Sequence, residues 1–98
     1  MIPLREQCDL LSKALKNRLV QADDTVFAAI SFDVIQDRLQ TLEGAFPQGC
    51  IHSVAIKSNP LREVLRFIAG EGSHAEAASM GEVRLALASG FTPDRIVF

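Results

Sequence analysis

Ser53-Val54-Ala55-Ile56-Lys57-Ser58-Asn59-Pro60 is a short apolar run that ends on a lysine and turns at once toward a helix start. With Ile51 at its head, the run Ile51, Val54, Ala55, Ile56 predicts a strand from Ile51 to Lys57, covered on both faces as in a parallel sheet. Side chains alternate along a strand, so Lys57 is expected to share a face with Ala55 and Ser53. Ile56, Val54 and His52 then point the other way. Small residues line the lysine's face and leave room beside it, while the opposite face carries the branched residues that pack on helices. A cation at the tip of an apolar strand is costly to bury unless it has a partner or a task.

Downstream, Asn59 is a natural N-cap and Pro60 suits a first helical turn, where its missing N–H has no partner to lose. Leu61, Val64, Leu65 and Ile68 form the apolar stripe of that helix, and Gly70 and Gly72 stop it. Ser73 to Ala78 predicts a short strand of small residues. Ser79-Met80-Gly81-Glu82 has the form of a capping box opening a further helix with the stripe Met80, Val83 and Leu87. Gly90 is placed for a left-handed C-cap, Pro93 prevents continuation, and Arg95-Ile96-Val97-Phe98 starts another apolar strand. The order strand, helix, strand, helix, strand favours a parallel sheet with crossover helices. A complete eight-fold barrel takes about 250 residues. The chain is therefore expected to be a small open α/β domain or the first third of a barrel, and the apolar run at Phe98 favours the barrel part.

Upstream, Pro3 can open a helix whose Leu4, Cys8, Leu11, Leu15 and Leu19 share one face, with Asp23-Asp24 as its end. Its basic residues suggest a transit peptide or a membrane-surface helix, but Glu6 and Asp9 favour an ordinary docked helix. Thr25 to Ser31 is rich enough in β-formers for a strand. A second helix follows, with Asp33 as the expected N-cap and Ile35, Leu39, Leu42 and Phe46 as its stripe.

Composition narrows the classes. The 98 residues are 48% apolar with net charge −2, which fits a packed domain and gives no basic stripe for nucleic acid. No apolar run approaches the roughly 20 residues of a membrane span, and the N-terminus lacks a signal-peptide core. Cys8 and Cys50 sit in no CxxC pattern, so two reduced thiols in a cytoplasmic protein are expected. His52 and His74 lack ligand spacing, and no metal is expected.

Ala55-Ile56-Lys57-Ser58-Asn59-Pro60 resembles the motif that opens the barrel of the ornithine/diaminopimelate decarboxylase family of pyridoxal-phosphate enzymes. The similarity extends in both directions. Thr25 through Phe46 resembles the family's entry strand and first helix, Gly72 through Val83 its second strand with the Ala-Ser-x-Gly-Glu signature, and Gly90 through Phe98 its run into the third. The resemblance implies an α/β fold, the first strands and helices of a parallel (β/α)8 TIM-type barrel. Residues 1–24 would then be an N-terminal helical extension and 25–98 the N-terminal part of the cofactor-binding barrel. The rest of the barrel and a C-terminal β-domain would lie outside these residues.

The same resemblance implies pyridoxal 5'-phosphate as cofactor, with Lys57 as the catalytic lysine that forms the internal aldimine. Schiff-base chemistry needs a neutral amine, the form that an apolar setting favours. Glu76 matches the family's second-strand aspartate and Glu82 its glutamate after the serine, so both are candidate catalytic carboxylates. Ala55 and Glu76 join Lys57 as candidate cofactor contacts. The structural alternatives are a solvent-exposed rim carboxylate for Glu76 and a plain capping residue for Glu82. Val54 stands where the family's motif has an aromatic, Ala75 where it has Phe, and Glu76 is one methylene longer than aspartate, which points to a divergent member. The implied activity is decarboxylation of a small-molecule amino-acid substrate, of the ornithine, lysine or diaminopimelate type, by a homodimer. The family's ring-stacking histidine, phosphate loop and acidic partner of the pyridine nitrogen would lie beyond Phe98, so these 98 residues alone are expected to release no CO2. The other readings are an alanine-racemase-like or cofactor-carrier barrel, and a non-catalytic decarboxylase homologue that serves as a binding partner.

Overall fold

The computed structural model describes residues 2–98, which divide after Ile30 into two compact units. The first unit is built on one helix, α1 (Leu4–Lys16), opened by Pro3. The stripe expected to be its buried face is not buried here: Leu4, Leu11 and Leu15 are exposed, and Ala14 is the helix's one buried residue. The helix also ends earlier than the Asp23-Asp24 pair. Arg18 takes a left-handed φ of 57°, and its N–H donates to the Leu15 carbonyl while Leu19 N–H donates to that of Ala14. This paired closure satisfies carbonyls that the last turn would leave open. Asp24 instead closes a local turn, with Oδ2 accepting from Gln21 N–H at 2.8 Å. The expected strand over residues 25–31 does not form. β-branched residues favour a pleated surface only when a neighbouring strand supplies the ladder, and Val26 stays solvent-exposed.

The second unit alternates helix and strand: α2 (Phe32–Ala45), β1 (Ser53–Ala55), α3 (Arg62–Gly70), β2 (His74–Glu76), α4 (Met80–Ala88) and β3 (Ile96–Val97). The N-cap of α2 is Ser31 rather than Asp33, its Oγ accepting from Val34 N–H at 3.3 Å. Within α2 the inner side chains are Ile35 and Leu39, half-buried against the core, while Leu42 and Phe46 remain exposed. Phe32 stacks on Phe67 of α3 with ring centroids 4.7 Å apart, and Gln36 Nε2 donates to Glu71 at the end of α3 at 3.0 Å.

The three strands form one parallel sheet in the order β1-β2-β3, as the alternating pattern requires. Ile56, Leu65, Ala75 and Ala86 are fully buried and pack with Val64, Ile68, Ala77 and Phe91 in a single core. Ala75 and Ala77, two apart on β2 and its continuation, are both buried; small side chains there let the helices approach the sheet closely. In α4, Ala86 is buried and Val83 packs against the core, whereas Met80 and Leu87 of the expected stripe are exposed. Gly90 follows this helix with a left-handed φ of 101°. Its N–H meets the Leu87 carbonyl, and Phe91 N–H meets that of Ala86, which turns Phe91 into the core. Arg95 then ties the approach to β3 to the link between α3 and β2. Its guanidinium donates to the Ala69 carbonyl at 3.0 Å and to that of Ser73.

Candidate functional site

The lysine stretch departs from its expected form. β1 stops at Ala55, and Ile56–Ser58 form a 3-10 turn, so Lys57 sits in a turn beyond the strand rather than on its tip. The alternation expected through Lys57 therefore ends at Ala55. Local bonds explain the early stop: Ser58 Oγ donates to the Ala55 carbonyl at 2.7 Å, and Asn59 N–H donates to that of Ile56 at 3.1 Å. Short polar side chains that bond nearby backbone compete with a sheet ladder. Ile56 is carried inward and is completely buried, while Lys57 next to it is exposed. Asn59 does not cap α3 directly. Its Oδ1 accepts from Leu61 N–H at 3.4 Å, Leu61 is the N-cap, and Pro60 precedes the helix.

Register brings the candidate residues to one end of the sheet. Ala55 pairs with Glu76, and Glu76 pairs with Val97. Because the strands are parallel, the Lys57 turn and Glu76 both lie at the strands' C-terminal ends. Laterally paired residues share a face, so Glu76 stands on the Ala55 side. Both Lys57 and Glu76 are exposed. Among the described residues the one ion pair is Arg66–Glu63, so neither side chain is held by an opposite charge.

Glu82 is in a different position. Ser79 caps α4 by accepting from Glu82 N–H at 3.2 Å, as the capping-box pattern leads one to expect. The return bond goes one residue further than that pattern: Glu82 Oε2 accepts from Ala78 N–H at 2.6 Å. Ala78 directly follows Glu76 and Ala77, and Ala77 N–H donates to the Val97 carbonyl at 2.8 Å. The exit from β2 is thus held by the sheet on one side and by Glu82 on the other.

These residues fit a pyridoxal group as an anchor. Its aldehyde needs a primary amine within reach, which the exposed Lys57 provides, and the residue paired with Glu76 on the neighbouring strand, Ala55, carries only a methyl group. Among the described residues no helix is long and apolar enough to cross a membrane. Among the described residues no cluster of three or more His, Cys, Asp or Glu is placed to hold a metal. Cys8 and Cys50 are free and exposed.

The opposite end of the sheet is different in character. A cleft of about 320 Å³ opens there, lined by Leu39, Cys50, His52, Glu71, Gly72 and His74 among others. His52 packs edge-on against Phe46, with centroids 5.2 Å apart. That cleft lies away from the lysine and contributes nothing to the lysine's surroundings. The structure also reveals contacts that the sequence reading missed. The Arg62 guanidinium reaches the Ala88 carbonyl at 3.0 Å, and Arg95 reaches those of Ala69 and Ser73. These partners lie 22 to 26 residues away in the chain, a separation at which no local pattern signals them.

Residues 32–98 match the family model described as "Pyridoxal-dependent decarboxylase, pyridoxal binding domain". The chain is 39% identical over 59 residues to a diaminopimelate decarboxylase of Zymomonas mobilis, covering 60% of the chain and 14% of that protein. It is 32% identical over 75 residues to a lysine/ornithine decarboxylase of Selenomonas ruminantium, covering 76% of the chain and 19% of the relative. A diaminopimelate decarboxylase of Helicobacter pylori is 33% identical over 81 residues, 82% of the chain and 20% of the relative. The chain thus spans a fifth or less of the length of these curated relatives. No solved structure matches it significantly. The parallel sheet with a lysine beyond its first strand and the match over residues 32–98 lead to one assignment: the chain belongs to the pyridoxal-dependent decarboxylase family, within its pyridoxal-binding domain.

Proposed function

We propose that these residues are the N-terminal part of a pyridoxal-phosphate-dependent amino-acid decarboxylase of the ornithine, lysine or diaminopimelate type. The observation that carries the reading is the placement of Lys57, just beyond β1, and of Glu76, the last residue of β2, at the C-terminal ends of adjacent parallel strands. In parallel β/α folds that end gathers the chemistry, because the loops leaving the strands converge there. The two edge strands of the sheet, β1 and β3, accord with the opening strands of a (β/α)8 barrel. The whole enzyme is proposed to complete that barrel, carry a C-terminal β-domain, work in the cytoplasm and pair as a homodimer.

Within this reading each residue has a task of its own. Lys57 holds the cofactor through its amine and so fixes the ring at the mouth of the barrel. Ala55 keeps the floor beside the amine low enough to admit the ring. Glu76, the register partner of Ala55, faces the same space and supplies a carboxylate that can hold a proton or balance the lysine's charge. When bound, the pyridoxal ring supplies the electron sink for loss of the substrate's α-carboxylate as CO2.

The test uses the whole protein that contains these residues. After incubation with pyridoxal phosphate and borohydride reduction, mass spectrometry is expected to find the label on the peptide bearing Lys57. Lys57→Ala is expected to remove that label and reduce CO2 release from ornithine, lysine and diaminopimelate to background. A label at Lys57 without CO2 release from any of them would move the chemistry to racemisation or cofactor carriage. Absence of label on Lys57 in the wild-type protein would end the reading.

A further inference from the structure

We propose that Glu82 is a positioning residue that acts through the backbone N–H of Ala78, and that it handles no proton in the reaction. The inference rests on the cofactor reading above and divides the labour between the two carboxylates. Glu76 is exposed and carries no ion pair among the described residues. Glu82 is half-buried, and its Oε2 is engaged at 2.6 Å with Ala78 N–H. A carboxylate that accepts from an amide makes a charge-assisted bond, shorter and stronger than a neutral one.

The bond's place in the chain gives it a consequence. Glu82 lies in the first turn of α4, and Ser79, next in the chain after Ala78, accepts from Glu82 N–H at 3.2 Å. Together the two bonds close residues 78–82 on themselves. The segment joins Glu76 and the buried Ala77 to the helix. On the other side, Ala77 N–H is fixed by the Val97 carbonyl. The two amides that follow Glu76 are therefore both engaged, which fixes the backbone from which Glu76 is presented at the end of the sheet. Losing the Glu82 contact frees Ala78 N–H at the point where the chain leaves the sheet, and Glu76 loses that fixed presentation. What the contact requires is an acceptor oxygen at position 82. It requires no titrating group, and a glutamine supplies the oxygen.

The experiment compares Glu82→Gln and Glu82→Ala in the whole protein. Three measurements are made: amide exchange at residues 77–79, the pyridoxal phosphate concentration that half-labels Lys57 after borohydride reduction, and the pH profile of CO2 release. Glu82→Gln is expected to keep slow exchange at Ala78, to label within about threefold of wild type and to leave the pH profile unmoved. Glu82→Ala is expected to speed exchange at Ala78 and raise the half-labelling concentration by about ten- to a hundredfold, the range for a lost hydrogen bond to a charged group. A glutamine variant as impaired as the alanine one, or one whose pH profile loses a limb, would overturn the proposal in favour of a proton-handling carboxylate. Unchanged exchange at Ala78 in the alanine variant would overturn it as well. Should the alanine variant not fold, the glutamine variant's exchange and pH profile decide alone. If wild type takes no label at Lys57, the cofactor reading fails, and the exchange data still judge the Glu82–Ala78 contact separately.

Discussion

Helices α1 and α3 carry the same kind of signal in sequence and meet different fates. Each repeats apolar residues at helical spacing, and each forms a helix where that spacing predicts one. In α3 the stripe is in the core: Val64, Leu65 and Ile68 are 4%, 1% and 5% exposed. In α1 the equivalent leucines lie open, with Leu11 at 40% and Leu15 at 49%. Periodicity reports that a face exists; whether that face is covered depends on what else packs there. Their ends repeat the lesson. Both helices close on a left-handed residue, Gly72 after α3 and Arg18 after α1. The glycine adopts that conformation freely, whereas arginine adopts it at a steric cost.

Four substitutions test the contrast, the largest expected loss first and set beside its matched control. Leu65→Ala empties a fully enclosed site and is expected to cost about 2–5 kcal/mol in denaturant unfolding of the second unit. The matched Leu11→Ala is expected to cost less than about 1 kcal/mol, since its side chain is already partly in water. Similar losses for the two leucines would break the comparison. Arg95→Met comes next, because it removes the guanidinium from the Ala69 and Ser73 carbonyls while keeping an apolar stem. The expected cost is about 1.5–3 kcal/mol by the same unfolding measurement, the range for hydrogen bonds to charged groups. Arg18→Gly acts in the opposite direction, expected to stabilise the end of α1 by about 1 kcal/mol and to slow amide exchange at Leu19, whose N–H closes onto Ala14. Faster exchange there would show that the arginine side chain contributes something that its backbone strain conceals.

The candidate site was only partly legible, and for a specific reason. Lys57 was found because an apolar run ending on a lysine is conspicuous and its motif resembles a family. The shape around it was not, because Ser58 and Asn59 divert the backbone into a turn after Ala55. Side-chain bonds to nearby backbone compete with ladder formation, and which of the two wins depends on the neighbouring strand's length. Ser79 and Glu82 were read as a pair from spacing alone, and half of that reading is borne out. The other half landed on Ala78 rather than Ser79, a choice of one residue made by the way the chain leaves β2. The N-caps shifted similarly, from Asp33 to Ser31 and from Asn59 to Leu61.

Sequence alone determined the four helices, the three strands of the sheet and their order, because hydrophobic period, capping residues and glycine stops act within a few residues of one another. It did not determine the absence of a strand over residues 25–31, because a strand needs a partner. It also named the lysine and, through resemblance, the family. Tertiary structure decided the parallel register that sets Ala55 beside Glu76, the burial of α3's stripe and the exposure of α1's, and the reach of Arg95 to carbonyls 22 and 26 residues away. Those outcomes depend on which surfaces meet in space, and contact between distant segments is set by the packing of the whole core rather than by local sequence.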